Sequence, residues 1–390
     1  MKILIVNDKI NLAGGAEVYG WTVAKGLRQR SHLVTFLAGE GTRPDDIGGV
    51  EVLMAKDLRL DRLEETLEGK SFEIAYLQNI SKGEVVDFFA KRYSTIRFIH
   101  DHATYCPGTA KYWFAKKQPC DQPLSWRCCK YAWCQKCMSR NPKEAWSKLA
   151  SLPKLLKACQ KLNKLVAASE YVKSQLVLNG LMEQKIDVNP LFGFEDPIGH
   201  SVPELDQTGD GDKPAVLFVG RIFLEKGLGH LLRASRVINT PHQIRVVGDG
   251  WDLERCKKLA GWLDISHQVK FLGWLEREKV QEEIKKSYLL VVPSLWPEPF
   301  GLVGIEAMSY AKPVVSYGTG GIGGWLKDGQ NGLVAQYGDI SSLAQAIDRL
   351  LSDPSLASRL GSRGLEMAKT EFSLSRHLDQ LERLFLNYIE

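Results

Sequence analysis

The sequence predicts an α/β protein with two parallel-sheet domains, and three observations carry that prediction. Short apolar runs alternate with stretches of helical spacing along most of the chain, the pattern of repeated βαβ units. At 390 residues the chain is long enough for two ordinary domains. Between the two series lies a stretch with little to bury, where Gly193, Pro197, Gly199, Pro203, Gly209 and Gly211 are scattered among acids. The expected organisation is an N-terminal domain over 1–192, a linker over 193–213, a second domain over 214–372 and a closing helix over 373–390.

Composition narrows the class. An apolar fraction of 44% and a charged fraction of 25% suit a folded soluble protein, and a formal charge of +5 does not by itself call for nucleic acid. Met1 to Asp8 has a short apolar core with polar residues straight after it, which reads as a first buried strand and not as a signal peptide. No apolar run approaches the ~18–20 residues of a spanning helix. The expected location is the cytoplasm, with peripheral contact at the inner face of the membrane left open.

In the first half, the opening strand runs into Lys9-Ile10-Asn11-Leu12-Ala13-Gly14-Gly15-Ala16-Glu17. Val18, Trp21, Ala24 and Leu27 then recur at helical spacing. Paired glycines between a strand and a helix let backbone approach a phosphate, although such a pair alone is commonly just a turn. The Gly-x-Gly-x-x-Gly fingerprint is absent here, which disfavours a dinucleotide site. Further strands are expected at Leu33–Leu37, Ile74–Leu77, Ile96–Ile99 and Leu165–Ala168. In a parallel sheet, ligands gather at the carboxyl ends of strands. His100-Asp101-His102 stands at such an end.

The stretch from Lys111 to Lys164 has an unusual composition. It holds thirteen lysines and arginines against two acids, with Trp113, Phe114, Trp126, Trp133 and Trp146 interleaved. Basic residues mixed with tryptophan suit an anionic membrane or an anionic acceptor. They also suit a solvated face whose tryptophans pack inward. They could serve single-stranded nucleic acid too, but no nucleic-acid motif accompanies them and no such partner is expected.

In the second half, the strand Pro214–Gly220 leads into Arg221-Ile222-Phe223-Leu224-Glu225-Lys226-Gly227 and a helix. Arg and Lys five residues apart at a strand-to-helix turn can grip one diphosphate, one as a planar fork and the other as a point charge. A surface ion pair with Glu225 is the plainer alternative for either. Ile244–Gly250 and Val269–Leu275 are the next strand-and-turn units. Tyr288–Ser294 is another strand, and the chain then turns through Trp296-Pro297-Glu298-Pro299 and enters a helix at Gly301. Glu298 falls in the turn and Glu306 inside the helix among apolar neighbours. A carboxylate there needs hydrogen bonds, from a ribose diol or from a core Arg or tyrosine hydroxyl. Pro313–Gly318 is a further strand, Gly320–Gly324 a glycine cluster, and Asp328–Gly332 a turn.

Glu298 and Glu306, set around Pro299-Phe300-Gly301, together with Gly220-Arg221-x4-Lys226-Gly227, resemble the signature of retaining glycosyltransferases of the GT-B fold. The similarity is to glycosyltransferase family 4. It covers Val216 to Val334 strongly and the first half more weakly. It implies two Rossmann-like domains with parallel sheets facing across a cleft that closes on the donor, and a final helix packing back across it. It implies that Arg221 and Lys226 hold the donor diphosphate along with the backbone of Gly14 and Gly15 and the helix start at Gly301, Leu302 and Val303. Gly220, Gly248 and Gly250 would line the nucleotide pocket, and Gly273, Trp274 and Leu275 the base. Glu298, beside Phe300, would contact the sugar and Glu306 the ribose. His100 would face the donor sugar, with Asp101 and His102 as weaker candidates on the acceptor side.

The catalytic set implied is Arg221, Lys226, Glu298 and His100, with no catalytic metal or cofactor. The donor favoured is UDP-glucose, then GDP-mannose. The acceptor would be a hydroxyl of a saccharide or lipid-linked saccharide in polysaccharide biosynthesis. Gly324 stands where the family usually has an acid, so a ligand contact from that position is in doubt. Two alternatives differ in class: a sugar-nucleotide epimerase of the same fold, and a non-catalytic basic binding protein.

Six of the eight cysteines lie between Cys106 and Cys137, in a segment over about 104–145 outside the family's common core. Cys134-Gln135-Lys136-Cys137 is a C-x-x-C pair. A short segment that buries little core needs a staple. One structural zinc is expected, held by Cys106, Cys120, Cys137 and one of Cys128 or Cys134. Disulfides are the main rival, and an iron–sulfur cluster is a third option.

Overall fold

The computed structural model describes residues 1–10, 15–42, 47–139, 141–193 and 213–389. Gly14 and most of the expected linker, 194–212, lie outside the described residues. The chain divides into two compact units, Met1–Pro190 with Leu374–Glu390, and Leu191–Ser373.

The first unit is built on seven parallel strands. In chain order they are β1 (Lys2–Ile10), β2 (Leu33–Gly41), β3 (Glu51–Met54), β4 (Ile74–Leu77) and β5 (Ser94–Ile99), then, after a small antiparallel hairpin of β6 (Tyr112–Trp113) and β7 (Gln118–Pro119), β8 (Lys164–Ala167) and β9 (Ile186–Val188). The spatial order is β3-β2-β1-β4-β5-β8-β9. Direction in that order reverses beside β1, so the carboxyl ends of β1, β4 and β5 frame the crevice where such sheets hold ligands. Ile3, Leu4, Ile5 and Val6 are all fully buried. Consecutive burial shows that both faces of the sheet are covered, which is why β1 reads as a continuous apolar run without alternation. The helices are α1 (Gly15–Gln29), α2 (Leu60–Leu67), α3 (Gly83–Arg92), α4 (Arg127–Cys134), α5 (Pro142–Cys159) and α6 (Glu170–Leu178). Asn141 caps α5 by accepting from the Lys143 amide, with Pro142 at the first position where no amide is needed. Ser169 caps α6 through the Val172 amide.

The second unit repeats the plan with six parallel strands: β10 (Ala215–Val219), β11 (Gln243–Val247), β12 (Val269–Gly273), β13 (Leu289–Val292), β14 (Val314–Ser316) and β15 (Gly332–Val334). They are ordered β12-β11-β10-β13-β14-β15. Here the reversal falls between β10 and β13, so the turns that follow these two strands lie side by side. Its helices are α7 (Leu228–Ser235), α8 (Leu253–Trp262), α9 (Arg277–Lys286), α10 (Leu302–Met308), α11 (Ile322–Trp325), α12 (Ile340–Ser352) and α13 (Pro354–Thr370). No described helix is long and apolar enough to cross a membrane.

The last helix, α14 (Leu374–Leu386), belongs to the first unit. Leu374, Leu378, Leu381 and Phe385 recur at helical spacing and are buried there. Gly26 of α1 makes the approach possible, since a Cβ at that position would lie 2.6 Å from Leu378 Cδ1. Arg30 ties the exposed side down through Asp379 and Glu382, each at 2.6 Å.

Candidate functional site

In the second unit the ends of β10, β11 and β12 are locked to one another by backbone. The Gly220 amide donates to the Val247 carbonyl, and the Gly248 amide donates to the Gly273 carbonyl at 2.7 Å. Gly248 has φ 134°, and a Cβ there would come within 1.9 Å of the Gly220 oxygen. No other residue fits. The Ile222 amide donates to the Asp249 carbonyl, which draws the Gly250 turn against the turn carrying Arg221. At the third strand end, Trp274 is 67% exposed beside half-buried Leu275.

Lys226 and Glu298 meet across the switch point. Lys226 lies in the turn after β10 and Glu298 in the turn after β13, and Nζ is 2.8 Å from Oε1. The same carboxylate oxygen accepts from Ser294 Oγ at 2.6 Å, and the Lys226 ammonium sits 4.6 Å from the Trp296 ring centroid. Burial alone would push the Glu298 carboxyl up, but the Lys226 charge and the hydrogen bonds from Lys226 and Ser294 hold it below the usual carboxylate range. The plainer alternative for Lys226, an ion pair with Glu225, is not what forms. Instead the Glu225 carbonyl accepts from the Leu295 amide, which binds the two turns together. The Glu298 turn is clamped from its other side by the Gly321 amide, which donates to the Glu298 carbonyl at 2.6 Å. Thus the glycine cluster supports the turn through its backbone, and Gly324 is exposed.

Arg221 is exposed, with its guanidinium 5.2 Å from the Phe223 ring centroid; Phe223 in turn stacks on Trp251. Among the described residues Arg221 pairs with no carboxylate. Glu306, half-buried in α10, has its carboxyl raised to about 7 by burial, with Arg277 pulling weakly the other way. Its carboxylate makes no hydrogen bond among the described residues. Gly301, Leu302 and Val303 are half-buried at the start of α10. Phe300 is a correction to the expected set, because its ring is buried against Phe372 and its carbonyl accepts from Trp325 Nε1 at 2.7 Å. It positions the turn and does not present its side chain to a ligand.

In the first unit, Gly15 is exposed at the start of α1. His100, past the end of β5, is half-buried and bonds Gln78 Oε1 at 2.8 Å. Burial, then the nearness of the His377 ring and the Arg97 guanidinium, lower its pKa to about 3, so it is a neutral ring. Because the Gln78 oxygen can only accept, Nε2 carries the proton and Nδ1 is left as an acceptor. Asp101 accepts from the Ala103 amide. His102 is a second correction: it is fully buried, bonds Tyr105 OH at 2.7 Å and packs edge-on to Tyr171, so no acceptor can reach it. A cavity of about 310 Å³ opens at these strand ends, lined among others by Asp8, Ser81, His100, Asp101, Cys106 and Lys148. Asp8 carries no sequence motif. Only its place at the end of a first buried strand could have drawn attention to it. Burial raises its carboxyl although it accepts from Ser81.

A neutral chain runs behind this cavity. The Pro190 carbonyl must accept from His377 Nδ1 (2.8 Å), so His377 Nε2 accepts from Tyr19 OH (2.8 Å), which accepts from Tyr76 OH (2.7 Å). Burial lowers His377 to about 4.

All eight cysteines are free thiols. Cys106, Cys120, Cys128 and Cys137 line one small cavity, whereas Cys129 and Cys134 are exposed and do not line it. Among the described residues no three His, Cys, Asp or Glu side chains already stand in metal-holding geometry. The tryptophans divide: Trp113 is buried, while Trp126, Trp133 and Trp146 are 78%, 66% and 71% exposed. Trp126 and Trp146 flank an apolar groove of about 590 Å³ with Leu124, Leu149, Pro153 and Lys157.

Residues 205–367 match the family model described as Glycosyl transferases group 1. An alpha-D-kanosaminyltransferase of Streptomyces kanamyceticus is 30% identical over 183 residues, 46% of this chain and 47% of that one. A lipopolysaccharide core biosynthesis glycosyltransferase, LpsE of Rhizobium meliloti, is 34% identical over 165 residues, 42% and 46% of the two chains. The chain thus spans about half the length of the curated relatives it matches. HepE of Anabaena, solved in complex with UDP, superposes over 99% of this chain and 100% of its own with a TM-score of 0.74 at 17% identity. It has also been solved with UDP-glucose. The fold is that of the GT-B glycosyltransferases.

Proposed function

We propose that this protein is a retaining hexosyltransferase, taking glucose from UDP-glucose and adding it to a hydroxyl of a saccharide or lipid-linked saccharide in polysaccharide assembly. The observation that carries the reading is the Lys226–Glu298 contact at the switch point, a cation and a buried carboxylate joined across two turns 72 residues apart in sequence. Lys226 gives one N–H to Glu298 and keeps others for a phosphate oxygen. Arg221 supplies a second, unpaired cation. Glu298, fixed as an anion, accepts from sugar hydroxyls, and Glu306 accepts from the ribose diol.

In the reaction, the bond from the anomeric carbon to the β-phosphate oxygen breaks, and the acceptor oxygen bonds to the same face. The acceptor proton passes to the departing phosphate. Lys226, Arg221 and the glycine-turn amides hold the charge that grows on that phosphate, so no catalytic metal or cofactor is invoked. The UDP and UDP-glucose complexes of HepE support the donor, and the names of the matched relatives support glycosyl transfer. The 310 Å³ cavity, with neutral His100 and the carboxylates of Asp8 and Asp101, is of a size and polarity to take acceptor hydroxyls. It favours a transferase over an epimerase, which would need no second site.

The test is a thermal-shift panel followed by turnover. A ligand that binds only the folded state raises its stability. UDP-glucose should raise Tm more than GDP-mannose, and UDP release should depend on added saccharide. No shift with any sugar nucleotide, or turnover independent of acceptor, would sink the reading. A lipid-linked acceptor fits the three exposed tryptophans and the surrounding lysines, each of which contributes about 1 kcal/mol near an anionic bilayer. Flotation with anionic but not neutral vesicles is expected; equal behaviour with both would remove the membrane part alone.

A further inference from the structure

We propose that Cys106, Cys120, Cys128 and Cys137 form a tetrathiolate site for one structural metal ion of the zinc class. The four residues come from three stretches of chain, a turn at Cys106, the residue after the β6–β7 hairpin and the two ends of α4, and line a single cavity of only about 20 Å³. That volume suits an ion and not an organic ligand. Cys106 opens a turn closed by the Thr109 amide on its carbonyl (3.0 Å). Cys120 follows the β6–β7 hairpin, and its amide donates to the Lys111 carbonyl (2.7 Å). Cys128 sits in the first turn of α4, and Cys137 lies just past the end of that helix. The turns carrying Cys106 and Cys137 touch, since a Cβ on Gly108 would lie 1.9 Å from the Cys137 oxygen. Tyr105, Tyr112, Trp113 and Tyr131 line the cavity beside them.

The strands of this segment are two residues long and its helix is short, so it has little core of its own. All four are free thiols that line one cavity, and no two of them are joined as a disulfide. As they stand, no three of these residues are in metal-holding geometry. Binding therefore has the sulfurs close to about 2.3 Å from the ion, with their protons released to water. Cys106 also lines the 310 Å³ cavity, so the ion would brace one of its walls.

The test uses the full chain purified anaerobically without chelator. Elemental analysis should find about one thiophilic ion per chain. Replacing it with Co(II) should give the intense sulfur-to-metal charge transfer of a four-thiolate tetrahedral site. Cys128→Ser should lose the ion to a chelator roughly tenfold more readily or more, whereas Cys134→Ser should retain it. If Cys128→Ser does not fold, the cobalt spectrum of the unmodified chain still decides. Absence of metal with all eight thiols titratable, any of these four missing from the count as disulfides, or equal loss from both variants would overturn the proposal. None of these readouts depends on the transferase reading.

Discussion

The carboxyl end of the sheet in Leu191–Ser373 is built around a buried ion pair, whereas the corresponding end in Met1–Pro190 sets the carboxylates of Asp8 and Asp101 beside a run of neutral groups. In the first, Lys226 holds Glu298 ionised, Arg221 stands exposed, and Glu306 has its carboxyl near 7. In the second, His100 and His377 are kept neutral by burial, His100 bonds Gln78, and His377 is linked through Tyr19 to Tyr76 by uncharged hydrogen bonds. The contrast matches what each end is proposed to hold. A diphosphate asks for cations and a fixed field, whereas a sugar hydroxyl asks for uncharged donors and acceptors.

The charged end should fail most severely. Lys226→Ala and Arg221→Ala are each expected to cut turnover by roughly 10²–10³, by analogy with loss of one oxyanion-hole donor. They should part company in stability. Lys226→Ala strands a buried carboxylate, which costs about 3–5 kcal/mol when fully buried and less here. Arg221 is exposed and unpaired, so its removal should leave Tm unchanged. Steady-state kinetics with thermal melts on both variants checks this. Wild-type turnover in either would remove that cation from the site.

Next in size are the two glutamates. Glu306→Gln should weaken free UDP by about 1.5–3 kcal/mol, the worth of a hydrogen bond to a charged group. Glu298→Gln should leave UDP nearly untouched while spoiling productive UDP-glucose binding. Because the Glu306 carboxyl titrates near 7, UDP should bind more weakly as pH falls below that value, and Glu306→Gln should abolish the slope. Calorimetry across pH reads both, and equal loss of UDP in the two variants would reverse the assignment of roles.

Much of this was legible before the structure, for identifiable reasons. The buried strands announce themselves as apolar runs: Ile74–Leu77 has the bounds read from sequence, and β10 to β14 fall within one to three residues of theirs. The strands β3, β9 and β15 were not legible, being three or four residues long, with an acid in β3 and β9 and with β15 opening on a glycine read as part of a turn. The Lys226–Glu298 contact could not be read, because sequence motifs record local spacing and this pair is made by neighbouring strands. His102 looked like a ligand only because it follows His100, and nothing local indicates that it turns inward. The choice between Cys128 and Cys134 needed α4. Six residues along a helix is a rotation of about 240°, so the two thiols cannot face the same cavity.

The neutral end should show itself in acid. His100 and His377 titrate near 3 and 4 when folded, against 6.5 as the ordinary value. Between those limits the unfolded chain binds more protons, so stability rises with pH through the window and is lost as pH falls below about 6.5. A loss of a few kcal/mol by pH 4 is expected. Denaturant melts from pH 4 to 7 on the protein and on His377→Gln check it: the variant is less stable at pH 7 but should lose less on acidification. An unchanged slope would mean that His377 is not held neutral.

The smallest effect has the opposite sign and belongs to the charged end. Glu306 is raised from 4.5 to about 7, so between those values the folded protein carries the extra proton. Stability attributable to this group is therefore greatest below the ordinary carboxyl value and falls as pH rises toward 7, where an unpartnered carboxylate must ionise in a half-buried place. Partial exposure limits the cost, and about 1–2 kcal/mol is the expected size. Glu306→Gln removes the cost, so the variant should be more stable than the parent at pH 8 and nearly equal to it at pH 5. A carboxylate retained at that expense is consistent with a ligand as its partner, and saturating UDP should return part of the stability at pH 8 to the parent but little to the variant. Chemical denaturation at the two pH values, with and without UDP, measures all four quantities. A variant less stable than its parent at pH 8 would show that Glu306 is a structural anion already satisfied by the fold.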